Sequence, residues 1–355
     1  MSEFRPRIAM TMGDVAGIGP EILAQIASDP EIMDLCQPII IGSPEHLRQE
    51  IEQQGRDAVV EEFSEAKEGM FSRNGIACWN PATVDCAKVP IGQIDGKAGQ
   101  AAFDWLVAAI ELAQHNQIDA IVTAPLNKAA LHAAGLDYPG HTEILGEKCG
   151  VPEFAMMLYL PPGKIVQGPS SCLRPAGPYG LGVAHVTLHT SIASVPSLLT
   201  TEEVLSKIEL VDVFLKRLGC TAPRVGVCAL NPHGGEGGLF GDEESRIIEP
   251  AVERAKALGM DARGPFPTDT LMYRAVQGEF DGIVAMYHDQ GHIALKLIGF
   301  QQAVNVTLGL PIIRTSPSHG TGFDIVGQGK ADATGMKEAI KVAVKLAQHR
   351  QEQTE

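Results

Sequence analysis

Eleven histidines are spread over 355 residues, and several stand where an apolar run gives way to a loop. VAHVTLH carries His185 and His189 at or near the end of one such run. ALNPHGGEGG places His233 in a glycine-rich loop directly after another, and AMYHDQGHIALK places His288 directly after a third. In open α/β sheets the carboxyl ends of the strands line the ligand crevice, so residues distant in sequence converge there. Three imidazoles meeting at one point, His185, His233 and His288, suit a borderline divalent cation such as zinc, with a fourth position left for substrate. No two of them form a compact metal motif, so the competing reading, three hydrogen-bonded structural histidines, stays open. His46, His115 and His349 fall on helical or surface patterns and take no role.

A second set of residue types suits a phosphorylated or carboxylated small molecule. YPGHTE puts His141 and Thr142 at a turn leading into a helix, whose first amides favour an anion. Lys296 follows His288 by eight residues, Asn305 lies in AVNVTLGL and Arg314 in PIIRTSP. Arginine forms a bidentate fork to a carboxylate or phosphate, and lysine acts as a point charge. Solvated surface cations are the ordinary alternative, weakened for Arg314 because it closely follows an apolar run. The formal net charge of −15 means that a few local cations and backbone amides must hold any anion against the overall field. The same charge excludes a nucleic-acid binder, since nothing here neutralises a polyphosphate backbone.

The elements that must position these groups follow from alternating apolar runs and helical patterns, the mark of a parallel-sheet α/β protein. Buried strands are expected at 7–12, 38–41, 120–123, 155–160, 181–187, 224–230, 282–286 and 304–308, with helices at 100–115, 201–218, 244–258 and 335–349. Residues 161–180, rich in Pro, Gly and Ser, read as a surface excursion, either a functional lid or an insertion of no consequence. The start of the chain lacks a signal-peptide pattern, no apolar run approaches a membrane span, and seven scattered cysteines read as reduced thiols of a cytoplasmic protein. No membrane partner is expected. The stretch MTMGDVAGIGPEIL looks like a phosphate-cradling turn, but Gly13, Gly17 and Gly19 give G-x-x-x-G-x-G, not the Rossmann G-x-G-x-x-G. Pro20 and Glu21 suit the first turn of a helix instead.

Taken in order, GDVAGIGPEI, PLNKAALHAAG, YPGHTEIL, LNPHGGEGG, PTDTL, MYHDQGHIALK and VNVTLGLPIIRTSPSHGTGFDIVGQGKAD resemble the 4-hydroxythreonine-4-phosphate dehydrogenase family of the vitamin B6 pathway, from about residue 7 to residue 347. The resemblance implies a two-domain, non-Rossmann α/β fold like that of isocitrate and isopropylmalate dehydrogenases. It places the active site in the interdomain cleft at a homodimer interface. The expected division is 1–130 plus 300–355, with the cofactor crevice, and 131–299, with the metal site and dimer interface. It implies metal ligation by His185, His233 and His288, drawn from both chains, and substrate binding by His141, Thr142, Lys296, Asn305 and Arg314. It also implies NAD and a divalent cation, zinc first, with magnesium or cobalt as alternatives. By analogy with the isocitrate enzymes, Gly13, Asp14, Gly17, His319, Gly320 and Asp324 shape or line the cofactor crevice.

The implied reaction is oxidation of the 3-hydroxyl of 4-hydroxy-L-threonine phosphate, followed by decarboxylation to 3-amino-2-oxopropyl phosphate. The metal lowers the alcohol's pKa while hydride leaves for the nicotinamide ring, and the resulting β-keto acid loses carbon dioxide. Lys296, then Asp269, are the candidate general bases, and Asp289 is a candidate orienter of His288. Val15 stands where the family has proline, Ser318 where it has aspartate, and the 161–180 excursion is longer than usual. These departures leave room for a relative acting on 4-phospho-D-threonate, 4-phospho-D-erythronate or a dihydrodiol carboxylate. A reading from another class, a phosphate acetyltransferase-like transferase, shares the broad architecture but has no use for three strand-end histidines.

Overall fold

Apolar runs without polar alternation, such as IAM, III and AIV, cannot sit half in water, and each becomes a strand covered on both faces. The computed structural model describes residues 4–27, 29–65, 75–163 and 177–353. Along the chain come β1 (Arg7–Thr11), α1 (Gly19–Ala27), α2 (Pro30–Leu35), β2 (Gln37–Ile41), α3 (Pro44–Gln53), β3 (Val60–Phe63) and β4 (Ile76–Trp79). Next are α4 (Gly96–Gln114), β5 (Ala120–Thr123), α5 (Lys128–Ala133), α6 (His141–Cys149), β6 (Ala155–Leu160), β7 (Leu181–His185), α7 (Val195–Leu198) and α8 (Thr201–Arg217). The remainder is β8 (Arg224–Cys228), α9 (Glu249–Ala257), β9 (Asp261–Phe266), α10 (Thr268–Val276), β10 (Gly282–Ala285), α11 (His288–Gly299), β11 (Val304–Leu308), β12 (Arg314–Pro317) and α12 (Thr334–Glu352).

The chain divides into two α/β units, Met1–Glu153 with Leu310–Glu355, and Phe154–Gly309. In the first, six strands run in the order β3-β4-β2-β1-β5-β12, all parallel. In the second the order is β11-β6-β7-β10-β8-β9. There β7, β10, β8 and β9 are parallel, while β6 runs antiparallel to both β11 and β7. The second unit's core gathers Leu158, Leu181, Val183, Phe280, Ile283 and Leu295. Helix ends carry their own stops: Thr200 caps α8 by accepting from Glu203 N, with acids in its first turn and Lys216 and Arg217 in its last.

The division falls at 153/154 and 309/310, where the sequence points to 130 and 299. The reason is packing: α5 and α6 lie against α4, and β11 pairs with β6 through Val304↔Tyr159 to Leu308↔Ala155. Strands β3, β4, β9 and β12 carry no clear signal in the sequence. VEEF and DARGPF are edge strands with mixed exposure, and RTSP is polar although fully buried. The expected helix at 244–258 begins instead as a wide π-helical turn, Glu244–Ile248, before α9. Most of the 161–180 excursion, residues 164–176, lies outside the described residues.

No described helix is long and apolar enough to cross a membrane. The six described cysteines are unbridged, and burial pushes the Cys36, Cys78 and Cys228 thiols up to about 12, which makes them packing groups.

Helices α4 and α5 meet at Gly99, where an added Cβ would lie 2.1 Å from the Ala130 carbonyl oxygen. Alanine normally outperforms glycine inside a helix by about 1 kcal/mol. Here Gly99→Ala is expected to destabilise by about 1–3 kcal/mol through overpacking, seen as a lower midpoint in urea unfolding. An unchanged or higher midpoint would mean that the two helices separate freely.

Candidate functional site

In the second unit β7 and β10 are parallel neighbours in register Ala285↔His185, so their carboxyl ends open at one level. His185 is the last residue of β7, and His288 opens α11 just past β10. Gln290 ties these ends together: its Oε1 accepts from Met286 N at 2.6 Å and its Nε2 donates to Ala229 O at 2.7 Å. The Thr187 hydroxyl donates to Met286 O at 2.8 Å. His288 Nδ1 lies 2.6 Å from Asp289 Oδ1, which fixes the proton on Nδ1 and leaves the Nε2 lone pair for a cation. Asp289 thus stands where an orienting carboxylate is expected.

His292, one helical turn on, stacks on His288 with ring centroids 3.9 Å apart and planes 9° apart. Its Nδ1 meets His185 Nε2 at 3.1 Å. Burial, reinforced by the neighbouring imidazoles, lowers His185 to about 3 and His292 to about 4. Both are neutral at physiological pH, the form that coordinates a metal or relays a hydrogen bond.

Of the three histidines expected to share a metal, His185 and His288 lie with ring centroids 6.2 Å apart, and His233 stands on a separate loop. Among the described residues no three His, Cys, Asp or Glu side chains are placed to hold a metal ion. His185 is held inside the core. It is 3% exposed, its Nε2 is engaged by His292, and Gly291 packs on it so closely that a Cβ there would lie 2.6 Å from that nitrogen. His189 is exposed instead, with its ring centroid 6.1 Å from that of His288. His233 is also exposed, on the loop after β8. His292 and His189 are not among the site residues expected from the sequence. The available signals were the i, i+4 spacing of HDQGH and the place of His185 inside, not beyond, a buried run. A cleft of about 290 Å³ opens along α11 beside His288, His292 and Lys296.

The anion-binding candidates fall in both units. In the first, α6 begins at His141 behind Gly140, which makes no side-chain cap, so the first-turn amides remain available. Arg314 opens β12 at 4% exposure, and its Nη2 donates to Thr123 Oγ1 at 2.6 Å. Burial lowers the guanidinium to about 9 against the opposing pull of Glu143, so it stays cationic at neutral pH. Burial and the Arg314 charge hold His141 well below its ordinary range, hence neutral. Thr142 is half-buried in the same turn. Lys128, which the sequence reading did not single out, flanks it: its Cε lies 3.8 Å from the Cβ position of Gly140. In the second unit Lys296 extends its Nζ to 5.4 Å from the Phe300 ring centroid, and Asn305 is half-buried on β11. Asp269 is exposed in the first turn of α10, with Oδ1 accepting from Thr270 N at 2.7 Å.

The turn 12–19 is buried throughout. Gly13 has φ +69°, and a Cβ there would lie 2.3 Å from Pro125 O; at Gly17 it would lie 2.6 Å from Thr321 O. Ile18 N donates to Thr321 O at 2.9 Å, so the two glycine-rich segments proposed for the cofactor are joined directly. Gly13, Asp14 and Gly17 shape this region from behind. Gly320 and Asp324 are exposed, and His319 Nε2 is sheltered without a hydrogen-bond partner, a fitting contact for a polar ligand. Asp14 is fully buried, with Oδ1 accepting from Ala16 N at 2.8 Å and Oδ2 unmatched.

The match to the protein-family model "Pyridoxal phosphate biosynthetic protein PdxA" covers residues 34–343. The chain belongs to the PdxA family. It is 42% identical to a D-threonate 4-phosphate dehydrogenase of Cupriavidus necator, over 99% of this chain and 100% of that protein. It is also 42% identical to a 4-hydroxythreonine-4-phosphate dehydrogenase of Geobacter metallireducens, over 98% of this chain and 97% of that one. The crystal structure of a 4-hydroxythreonine-4-phosphate dehydrogenase from Klebsiella pneumoniae superposes with a TM-score of 0.81 at 39% identity, covering 96% of this chain and 99% of that chain. A PdxA-family α/β fold in two units is thereby established.

Two outcomes follow from the buried polar groups. His292→Leu strands His185 Nε2 in the core and is expected to cost about 1–3 kcal/mol, whereas the double variant with His185→Leu recovers most of the loss. Additive losses in a thermal-unfolding cycle would deny the pairing. Burial, with Asp95 nearby, raises the Asp14 carboxyl to about 6. Its native pKa lies above the ordinary value, so folding stability declines as pH rises through that range. The stability of Asp14→Asn relative to the parent should rise by about 1–2 kcal/mol from pH 5 to pH 8. A flat difference in urea unfolding would show that the carboxylate is solvated.

Proposed function

We propose that this chain is an NAD-linked, divalent-cation-dependent oxidoreductase. Its substrate is a 4-phosphorylated 3-hydroxybutanoate bearing a polar group at C2, oxidised at C3 and then decarboxylated. Membership of a family whose similar relatives are dehydrogenases supports oxidoreductase chemistry over the transferase reading. The observation that carries the cation is the His288–Asp289 pair, an imidazole whose outer nitrogen is held available by a carboxylate on the inner one. His189, exposed beside His288, and His233 are the further ligands proposed, drawn from two protomers; His185 supports His292 behind them.

When bound, a divalent cation would supply Lewis-acid polarisation of the C3 oxygen, and NAD would supply the hydride acceptor. Arg314, with the open amides of α6, holds an anionic end of the substrate, and neutral His141 and Thr142 complete its hydrogen bonding. Asn305 is the further residue proposed for a hydrogen bond to the substrate. Lys296 takes the hydroxyl proton, with Asp269 as second candidate, and its ammonium then balances the charge that develops as C1 leaves as carbon dioxide. The 12–19 turn and the 319–324 segment form the cofactor side. A second copy of the chain is the proposed partner, and Ile293, Leu297 and Phe300, exposed at 57%, 77% and 60% along α11, supply an apolar stripe for it.

With 4-hydroxy-L-threonine phosphate the product is 3-amino-2-oxopropyl phosphate. A second reading, 4-phospho-D-threonate yielding dihydroxyacetone phosphate, is favoured by the Cupriavidus relative that matches over its full length. The two substrates differ only in carrying an amino or a hydroxyl group at C2, whereas 4-phospho-D-erythronate inverts that centre. An NADH-formation assay on both compounds and 4-phospho-D-erythronate, with and without chelator, decides between them. One substrate should exceed the others by at least about tenfold in kcat/KM, with chelator abolishing the rate and zinc, magnesium or cobalt restoring it. No NADH from any compound after metal restoration would reject the proposal.

A further inference from the structure

The loop between β8 and the Glu244–Ile248 turn adopts a left-handed conformation over several consecutive residues. His233, Gly234, Gly235, Glu236 and Gly237 have φ of 54°, 68°, 76°, 43° and 68°, and ψ between −6° and 50°. Glycine tolerates this region; histidine and glutamate do not without support. A non-glycine residue held there needs surroundings that over-determine it.

Beside the backbone bonds from Gly234 N to Asn231 O at 3.2 Å and from Phe240 N to Gly235 O at 3.1 Å, the support centres on one buried carboxylate. Glu244 is 3% exposed. Its Oε1 accepts from Leu230 N at 2.8 Å and from Asn231 N at 2.7 Å, the two amides that lead into the loop. Its Oε2 accepts from Asn231 Nδ2 at 3.0 Å and lies 2.7 Å from where a Gly235 Cβ would stand. Asn231 also donates to Glu243 Oε2 at 2.7 Å. The wide π-helical turn that Glu244 opens is the local irregularity that carries this carboxylate, and such turns recur at functional sites.

We propose that Glu244 is a positioning residue, a clamp that holds His233 in its left-handed conformation and so presents it for cation ligation. The inference rests on the metal-dependent reading above. Glu244 touches neither cation nor substrate; it acts through the backbone of 230–235.

Glu244→Gln tests this with little change of shape, since one oxygen still accepts from the two amides while the other becomes an amino group facing Asn231 Nδ2. Asn231→Ala removes the same contact from the other side and covers the case in which the first variant does not fold. Two readouts are taken on the full-length protein: binding of Co²⁺ alone, followed by its d–d absorption, and hydrogen exchange of the peptide spanning 230–238. Each folded variant should bind Co²⁺ about 10–100-fold more weakly than the parent, and exchange in 230–238 should accelerate at least about tenfold, with the rest of the unit unchanged. Parental Co²⁺ affinity, or parental exchange in that segment, would overturn the clamp. If the parent itself binds no Co²⁺, the cation reading has failed, and the exchange data alone still decide whether Glu244 holds the loop.

Discussion

Strands covered on both faces leave no room along their length for polar chemistry, and most of the rest of the molecule follows from that. β1, β5, β7, β8 and β10 are buried almost throughout. A parallel strand so enclosed can offer a reactive side chain only at its end or in the loop that follows. His288 and Thr123 stand at such ends, and His233 lies in such a loop. The exceptions are instructive. Arg314 enters the sheet at the start of β12, where the Thr123 hydroxyl on β5 meets it, and His185 ends β7 still inside the core, where another imidazole meets it.

Much of the architecture was legible because burial imposes composition. Fully covered strands such as β1, β2 and β5 are apolar runs and announce themselves. VEEF, DARGPF and RTSP do not, because edge position or polar cross-strand partners relax the requirement. The candidate site was legible in residue type but not in which atom faces which. His185 and His189 are four apart in one segment, yet a strand continuing to His185 turns it inward, while the chain beyond releases His189 to solvent. His292 was hidden because a histidine on an amphipathic helix looks the same from sequence whether it faces water or another imidazole.

The electrostatics have a common pattern. With a net charge of −15, the molecule gains little from its overall field in binding an anion, so attraction must be local. The groups the first unit offers for it are the Arg314 guanidinium, kept cationic despite burial, and the uncapped first-turn amides at α6, with His141 kept neutral beside them. His185 and His292 are neutral as well, so they add no charge at the end of β7 or in the first turns of α11. Burial, which penalises Asp14 in the opening turn, is therefore the same force that keeps His185 and His292 in the useful protonation state.

The opening turn and the His233 loop solve one geometric problem in two ways. Both connect a buried strand to a helical segment and both are glycine-rich. In the first, glycines let backbone carbonyls of Met12, Pro125 and Thr321 approach closer than any side chain permits, so the turn is locked by packing and needs no clamp. In the second, Gly234, Gly237 and Gly238 have nothing within 4 Å of their Cβ positions. Packing cannot hold that loop, and hydrogen bonds to a buried carboxylate must. Glycine richness alone therefore does not identify a phosphate cradle. What distinguishes the two is whether the space beside each glycine is filled by protein or left open, and only the open loop carries an exposed ligand-type side chain.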